Sequence, residues 1–309
     1  MREIHKKGEF ISSSHDYLRN LKDINKFGKY NSKLIDEWIS IKKVEGCSKE
    51  TLVSYDSFMR AFAYIIDKKL TDVTTAEIRH FLLEYQERRG VSNKTIDGMR
   101  RYLSSFYNFL EEEYYISTSP VRRIHKIKSE KSVKKPFSDD ETVLLEYGCT
   151  TKRDKVIISF LLSTGVRVGE LSKLDKNDLD LRNREAVVYG KGSKERVVYF
   201  DARAKVFIED YIASRDDNNP ALLVTDYMPH DRLSKYGIEW VVKQIAKEAG
   251  VTNCHPHRFR RTFATKMLNR GMPIEQVQKL LGHARIETTL IYTEISQDNI
   301  KASYNKHYS

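Results

Sequence analysis

A segment near the carboxyl-terminal end of the sequence concentrates side chains that can act on a phosphate ester. His257 and Arg260 lie three residues apart after Pro256, and His283 and Tyr292 follow. Proline suits the first turn of a helix, so His257 and Arg260 are predicted to share one face near the positive end of the helix dipole. This position favours the binding of an anion.

Glycines divide the segment into three predicted helices. Gly271 ends the first helix and Gly282 ends the second, which places His283 just past a helix end. Tyr292 lies on the third helix, where its hydroxyl can reach a pocket shared with the histidines and Arg260. Each residue alone suits an ordinary core or surface position, but their order and spacing together favour a site. The helices are predicted over residues 256–270, 273–281 and 285–295.

Five motifs stand out along the sequence: TGVRVGEL at 164–171, GKGSKER at 190–196, PHRFR at 256–260, LLGH at 280–283 and IYT at 291–293. In their content and order they resemble the motifs of the tyrosine recombinases of the lambda-integrase type, and especially the compact Xer-like members. A weaker resemblance extends over residues from about 30 to 125.

The resemblance implies an enzyme that cuts and rejoins DNA at a specific recombination site through a 3′-phosphotyrosyl intermediate. Members of the family act as tetramers on two duplexes, and the segment after the tyrosine docks into the neighbouring subunit. Tyr292 matches the family's nucleophile. Arg167, Arg260 and His283 match residues that act on the phosphate during cleavage. His257 is expected either to hydrogen-bond the phosphate or to take the tyrosine proton.

These residue types also meet the chemical demands of phosphodiester cleavage. Cleavage without a metal ion needs a nucleophile, cationic donors for the non-bridging oxygens and an acid for the leaving oxygen. The planar guanidinium groups of Arg167 and Arg260 suit the phosphoryl oxygens better than lysine would. Glu170 is expected to orient Arg167, although a simple ion pair between these two residues explains the same spacing.

A lysine at the tip of a predicted β-hairpin is expected to protonate the leaving 5′ oxygen. The hairpin is indicated by two β-rich runs, residues 186–189 and 196–200, that flank a glycine-containing loop. Lys191 and Lys194 both occupy this loop. Lys191 is preferred because it falls on the family's position in the Gly-Lys-Gly motif.

Composition and charge agree with a DNA partner. The 309 residues exceed what one hydrophobic core usually serves, which favours two domains. The net charge of +11 suits a polyanion, because each neutralised phosphate releases counterions. Cys47, Cys149 and Cys254 are too few and too scattered for a disulfide framework or a zinc site. We expect reduced thiols, no metal or other cofactor, no membrane span and a cytoplasmic location.

Helix caps and periodicity, together with the family resemblance, predict the fold class and the domains. The fold is expected to be mainly α, with an N-terminal four-helix SAM-like core-binding bundle and an α-rich catalytic domain that holds a small antiparallel β-sheet. Ser48, Thr74 and Ser92 begin helices of the bundle, and Ser138 begins the catalytic domain. The parts are an N-terminal extension with a short helix from Ser14 (1–30), the core-binding domain (31–125), a basic linker (126–137) and the catalytic domain with its tail (138–309).

The first domain and the linker contain the expected DNA contacts. In the family the core-binding domain forms half of a clamp around duplex DNA. Lys49, Lys94 and Arg101 are therefore expected to contact phosphates, although a charged helix face is more often only solvated. Residues 120–136 are rich in lysine and arginine, and they are predicted to be extended, solvated and close to the DNA backbone.

Several functions agree with these motifs. A site-specific recombinase is favoured, and the basic excess and divergent N-terminus favour a mobile-element integrase or transposase slightly over an Xer enzyme that resolves chromosome dimers. A type IB topoisomerase-like nicking and closing enzyme shares the catalytic residues, but the Xer-like spacing argues against it. A non-catalytic DNA-binding regulator has no use for Tyr292. The requirement for an accessory protein is left open.

Overall fold

The computed structural model describes residues 27–129, 135–190, 195–283 and 285–292, together with residue 304. The chain forms two compact units, Met1–Ser132 and Val133–Ser309. Several predictions lie outside the described residues: the N-terminal helix from Ser14 as far as residue 26, the hairpin lysines Lys191 and Lys194, and the tail after Tyr292 apart from residue 304. Within the described part, no helix is long and apolar enough to span a membrane.

Unit 1 (residues 27–129 as described) is a bundle of four helices, as the sequence predicts. Its helices are α1 (Gly28–Val44), α2 (Lys49–Ile66), α3 (Thr75–Arg89) and α4 (Asn93–Glu112). Ser48, Thr74 and Ser92 each accept a hydrogen bond from a backbone N–H of the first turn, and Thr74 with Glu77 forms a complete capping box. Apolar side chains from all four helices form one core around the fully buried Trp38.

The basic segment after α4 packs in part against the core of unit 1. Ile124 and Ile127 lie against that core. The Ile127 N–H donates to the Asp97 carboxylate at 3.1 Å, and the Asn93 amide donates to the Lys128 carbonyl at 2.9 Å. The prediction of a solvated segment is therefore wrong for Ile124 and Ile127, whose apolar side chains pack against the bundle. His125, Lys126 and Lys128 are exposed to solvent, as predicted.

Unit 2 is mainly helical with one small antiparallel sheet, which confirms the predicted fold class. The strands β1 (Leu179–Asp180), β2 (Glu185–Tyr189) and β3 (Glu195–Tyr199) form the sheet in that order. Val187 pairs with Val197 in the predicted hairpin. The strand β1 was not predicted, because two residues are too few to show an alternating pattern.

The part of unit 2 that the structure describes contains eight α-helices. They are α5 (Asp139–Tyr147), α6 (Lys152–Thr164), α7 (Val168–Leu171), α8 (Ala202–Ala213), α9 (Lys235–Glu248), α10 (Pro256–Asn269), α11 (Ile274–Leu281) and α12 (Glu287–Leu290). Ser138, which was predicted to begin this domain, forms a capping box with Glu141 at the start of α5. α7 ends at Leu171, because the N–H groups of Lys173 and Leu174 bond to carbonyls three residues back, as in a 3-10 turn.

The start of unit 2 is attached to α10, the helix of the predicted phosphate-handling residues. The Phe137 N–H donates to the Thr262 hydroxyl at 2.8 Å, and the Phe137 ring packs edge-on against Phe259. Arg258 lies over the Phe137 ring and donates to the Glu141 carboxylate at 2.9 and 2.6 Å. These contacts fix the position of α10 relative to the first residues of its unit.

Replacing Thr262 with valine should loosen this attachment. Valine keeps the shape of the side chain, but the buried Phe137 N–H loses its acceptor, which costs about 1–3 kcal/mol of unfolding free energy. Hydrogen–deuterium exchange should be faster at the Phe137 amide, and denaturant titration should show the loss of stability. Thr265→Val, on the same helix, is the matched control. If the Phe137 amide exchanged as slowly in the Thr262 variant as in the unaltered protein, the Thr262 hydroxyl would not be what attaches this segment to α10.

Candidate active site

Glu170 is the centre of a buried ion-pair network. Only 4% of the residue is exposed. Its carboxylate accepts hydrogen bonds from the Arg196 guanidinium at 2.8 and 2.7 Å, from the Arg167 guanidinium at 3.0 Å and from the Arg167 backbone N–H at 2.8 Å. Burial alone would raise the pKa of Glu170, but the hydrogen bonds from Arg196 and Arg167 lower it below its ordinary value. The ionised carboxylate therefore holds both arginines in place.

Arg196 connects the β-hairpin to the end of α11. Its Nε donates to the Leu280 carbonyl at 2.9 Å. Gly282 has a φ of +64°, and a Cβ at this position would meet the Arg196 Cδ at 3.0 Å. Both the left-handed backbone and the close contact require glycine here. One guanidinium thus brings together β3, the Glu170 carboxylate of α7 and the turn that leads to His283.

Arg260 lies buried between the ends of two helices. It is 2% exposed, and its guanidinium donates to the Gly165 carbonyl at 2.8 Å and to the Leu281 carbonyl. These carbonyls stand at the C-terminal ends of α6 and α11, where the helix dipole is negative. Burial, together with the nearby Arg167, lowers the pKa of Arg260 to about 10, so the guanidinium remains charged at neutral pH.

His283 is a neutral imidazole surrounded by positive charge. Burial, followed by the charges of Arg260, Arg167 and Arg196, lowers the pKa of His283 to about 4. Its Nδ1 lies 2.8 Å from the Thr289 hydroxyl oxygen. A neutral ring can donate a hydrogen bond to a phosphate oxygen without adding another charge to the cluster.

Tyr292 lies beside the His283 ring, with the ring centroids 6.0 Å apart and the planes at 29°. It follows α12 in a turn, and its N–H donates to the Thr289 carbonyl at 3.0 Å. The predicted helix over 285–295 is therefore too long in its described part, because bonds to the third preceding residue tighten the chain before Tyr292. The Tyr292 oxygen is near enough to Arg260 and Arg261 that a negative charge on it would favour both guanidinium cations.

Four of the predicted catalytic residues form one cluster: Arg167, Arg260, His283 and Tyr292. The cluster combines guanidinium donors, a neutral imidazole and a phenol, a set that can bind a phosphodiester and attack it. Among the residues that the structure describes, no group of three His, Cys, Asp or Glu side chains could hold a metal ion.

The other two predicted catalytic residues are not placed in this cluster by the structure. His257 is exposed in the first turn of α10, one helical turn before Arg260. Lys191 lies outside the described residues, although both strands of the hairpin that leads to it are present.

The predicted DNA contacts of unit 1 lie on exposed surface. Lys49 is exposed in the first turn of α2, and Lys94 in the first turn of α4. Arg101 is exposed further along α4, and its Nε lies 3.7 Å from the Asp97 carboxylate. A pair of this length on the surface contributes little to stability, so Arg101 can exchange Asp97 for a phosphate at small cost.

Comparison with known proteins decides the family. The model of the phage integrase family matches residues 139–299, and that of the phage integrase N-terminal SAM-like domain matches residues 34–116. The chain is 32% identical over 279 residues to tyrosine recombinase XerC of Listeria welshimeri, a match that covers 84% of this chain and 92% of that protein. It is a tyrosine recombinase of the phage integrase family. XerC of Bacillus subtilis is 31% identical to it over 295 residues, with 89% and 95% covered.

Family membership confirms that the protein is a site-specific recombinase enzyme. The structure of the recombinase also resembles that of the Tn1549 transposon integrase in complex with a circular intermediate DNA. The TM-score is 0.72 at 18% sequence identity, and the match covers 89% of the recombinase and 98% of the integrase chain. At this identity the likeness shows a shared fold.

Arg196 is the functional residue that the sequence reasoning missed in the recombinase. It belongs to a recognised motif, but no role was assigned to it. One signal was present: side chains alternate along a strand, so Arg196 shares a face of β3 with the buried Val198. An arginine on the buried face of a strand needs partners, and here it has Glu170 and a backbone carbonyl.

Replacing Arg196 with lysine should impair DNA cleavage by misplacing Arg167 and His283. Lysine keeps the charge but cannot bond Glu170 twice and also reach the Leu280 carbonyl. We expect the single-turnover cleavage rate to fall by about tenfold or more at unchanged DNA affinity.

The matched control is Arg215→Lys. Arg215 is a similarly buried arginine of unit 2 that pairs with Asp217 and bonds to backbone carbonyls. Its replacement should lower stability but preserve the cleavage rate of the folded protein. An equal loss of rate in both variants would mean that Arg196 has no special connection with the site.

Proposed function

We propose that the recombinase cuts and rejoins double-stranded DNA through a 3′-phosphotyrosyl intermediate on Tyr292. The observation that carries the proposal is the clustering of Tyr292 with Arg167, Arg260 and His283. These residues come from separate segments of the sequence. Arg196 joins two of those segments, because it pairs with Glu170, the partner of Arg167, and donates to the Leu280 carbonyl just before His283. Mutual repulsion makes a cluster of like charges costly to the fold, whereas such a cluster complements a phosphodiester and the charge that develops on it.

In the proposed reaction the Tyr292 oxygen attacks the phosphorus and the bond to the 5′ oxygen breaks. Arg167 and Arg260 donate hydrogen bonds to the non-bridging oxygens, and the neutral ring of His283 donates another. The tyrosine loses its proton, and the leaving oxygen gains one to become a free 5′-hydroxyl. Attack by the 5′-hydroxyl of another strand reverses these steps. The phosphotyrosyl bond retains the energy of the original ester, so the exchange needs no nucleotide hydrolysis.

Two proton-handling roles complete the proposal. Lys191 is assigned as the acid that protonates the 5′ oxygen, from the tip of the hairpin between β2 and β3. His257 is assigned to the phosphate or to the tyrosine proton. Its exposed position in the first turn of α10 supports this assignment, because a helix N-terminus attracts an anion that approaches from solvent.

We propose an Xer-type role over the mobile-element role that the sequence reasoning slightly favoured. The XerC proteins of Listeria welshimeri and Bacillus subtilis match this chain over 92% and 95% of their own length. The likeness to the transposon integrase, at 18% identity, shows a shared fold and does not bear on the biological role. A basic composition does not separate these roles, because both need DNA binding.

The assembly and the location are proposed on the same basis. We propose a homotetramer on two duplexes, with Lys49, Lys94 and Arg101 on the DNA backbone and the C-terminal tail exchanged between subunits. The exposure of the three cations supports their part in this arrangement. We propose a cytoplasmic location with reduced cysteines.

Changing Tyr292 to phenylalanine should abolish covalent attachment to DNA and leave binding intact, because only the nucleophilic oxygen is removed. A binding site is first selected from a random DNA pool by gel shift. A nicked suicide duplex with this site is then incubated with protein and analysed on a denaturing gel. A covalent band that persists in the variant would assign the attack to another residue. Strand exchange between two duplexes by the unaltered protein distinguishes a recombinase from a topoisomerase-like enzyme.

Arg167→Lys should cut the cleavage rate strongly although the charge is kept, because the planar two-point contact is lost. Loss of one such donor lowers the rate by about a hundredfold or more. The matched control is Arg232→Lys. Arg167 and Arg232 are each 37% exposed and each pairs with a carboxylate of unit 2. The cleavage rate of this control should stay within about twofold of that of the unaltered protein, since exposed ion pairs contribute little to stability. Similar rates for the two variants would remove Arg167 from the reaction.

A further inference from the structure

We propose that Thr289 is a positioning residue: its hydroxyl donates to Nδ1 of His283 and so keeps the ring hydrogen on Nε2, the nitrogen that can serve a phosphate oxygen. The proposal rests on the proposed function for the use of that hydrogen. It extends that function, because it gives control of the His283 tautomer to Thr289, a residue outside the five motifs.

Thr289 is well placed to control this part of the site. It is fully buried, with 0% exposure, on the short helix α12. Its hydroxyl oxygen lies 2.8 Å from Nδ1 of His283, and its carbonyl accepts the Tyr292 N–H at 3.0 Å. One buried residue therefore contacts the imidazole through its side chain and the segment of the nucleophile through its backbone.

The backbone of His283 is held independently of Thr289. The His283 N–H donates to the Gln278 carbonyl at 3.1 Å, and the Gln278 amide donates to the His283 carbonyl at 3.0 Å. Loss of the Thr289 hydroxyl should therefore act on the imidazole ring and leave the main chain around it in place. This separates a change in tautomer from a general loss of structure.

Burial determines the direction of the hydrogen bond. A buried hydroxyl must place its own hydrogen on an acceptor. Among the residues that the structure describes, the hydrogen bond recorded for the Thr289 hydroxyl is the one to Nδ1. If Nδ1–H were the donor, the hydroxyl hydrogen would need a second acceptor. The hydroxyl is therefore assigned as the donor and Nδ1 as the acceptor.

A neutral ring that accepts at Nδ1 must have its hydrogen on Nε2. The positive charge of Arg260, Arg167 and Arg196 around the ring opposes the doubly protonated form. With the other tautomer, Nε2 would present a lone pair to the phosphate oxygen and repel it. The Thr289 hydroxyl thus decides whether His283 helps or hinders the reaction.

The first test is nuclear magnetic resonance of the full chain labelled with ¹⁵N-histidine, with His283→Gln used only to assign the signal. In the unaltered protein the ¹⁵N chemical shifts of the His283 ring should show that the hydrogen is bound to Nε2. Thr289→Val, which keeps the shape, should move the ring toward a mixture of tautomers, and Thr289→Ser should restore the original shifts. Hydrogen on Nδ1 in the unaltered protein would overturn the proposal.

The second test is single-turnover cleavage of the nicked duplex, with DNA affinity measured separately. Thr289→Val should lower the cleavage rate by about tenfold or more at unchanged affinity. Thr289→Ser should stay within about twofold of the unaltered protein because it keeps the donor. The control is Thr288→Val, the exposed neighbour on the same helix, which should change neither the rate nor the shifts.

The two tests distinguish failure of this proposal from failure of the proposed function. Cleavage by Thr289→Val at the rate of Thr288→Val would overturn the positioning role even if the protein is a working recombinase. A covalent band that persists in Tyr292→Phe would overturn the proposed nucleophile. The nuclear magnetic resonance measurement would still test the tautomer of His283, because it does not depend on cleavage.

Discussion

The site depends on one buried carboxylate. Glu170 lies between two arginines, and a third arginine, Arg260, is buried nearby. Burial of a charge is costly unless partners and hydrogen bonds compensate it, and loss of a single partner leaves the others uncompensated. The carboxylate meets this requirement, because it accepts four hydrogen bonds from Arg167 and Arg196. Without it, those two guanidinium groups would repel each other in a poorly solvated space.

One carboxylate does not neutralise three arginines. Burial and the remaining excess of positive charge together lower the pKa of Arg260 to about 10 and that of His283 to about 4. A bound phosphodiester would relieve this repulsion, so substrate binding and the stability of the cluster are coupled by the same charges. A neutral His283 fits this arrangement, since a fourth cation would add to the repulsion within the cluster.

Local signals in the sequence predicted the helices well, and contacts between distant segments explain what was missed. Ser48, Thr74 and Ser138 begin helices because each cap bonds within three residues. The roles of Arg196 and Thr289 could not be read in this way. Arg196 meets Glu170, 26 residues away, and the Thr289 hydroxyl matters only because α12 folds back onto His283. Family motifs indicated the candidate site residues, but they did not show which contacts hold those residues in place.

Arg260 explains how residues from such separate segments reach one place. Its guanidinium donates to the Gly165 carbonyl after α6 and to the Leu281 carbonyl that ends α11. Arg167 follows the first of these helix ends by two residues, and His283 follows the second. Carbonyls at a helix end need donors, and a cation there is favoured by the dipole. The side chain proposed to bind the phosphate therefore also caps two helices, and this double use fixes the neighbouring Arg167 and His283 within its reach.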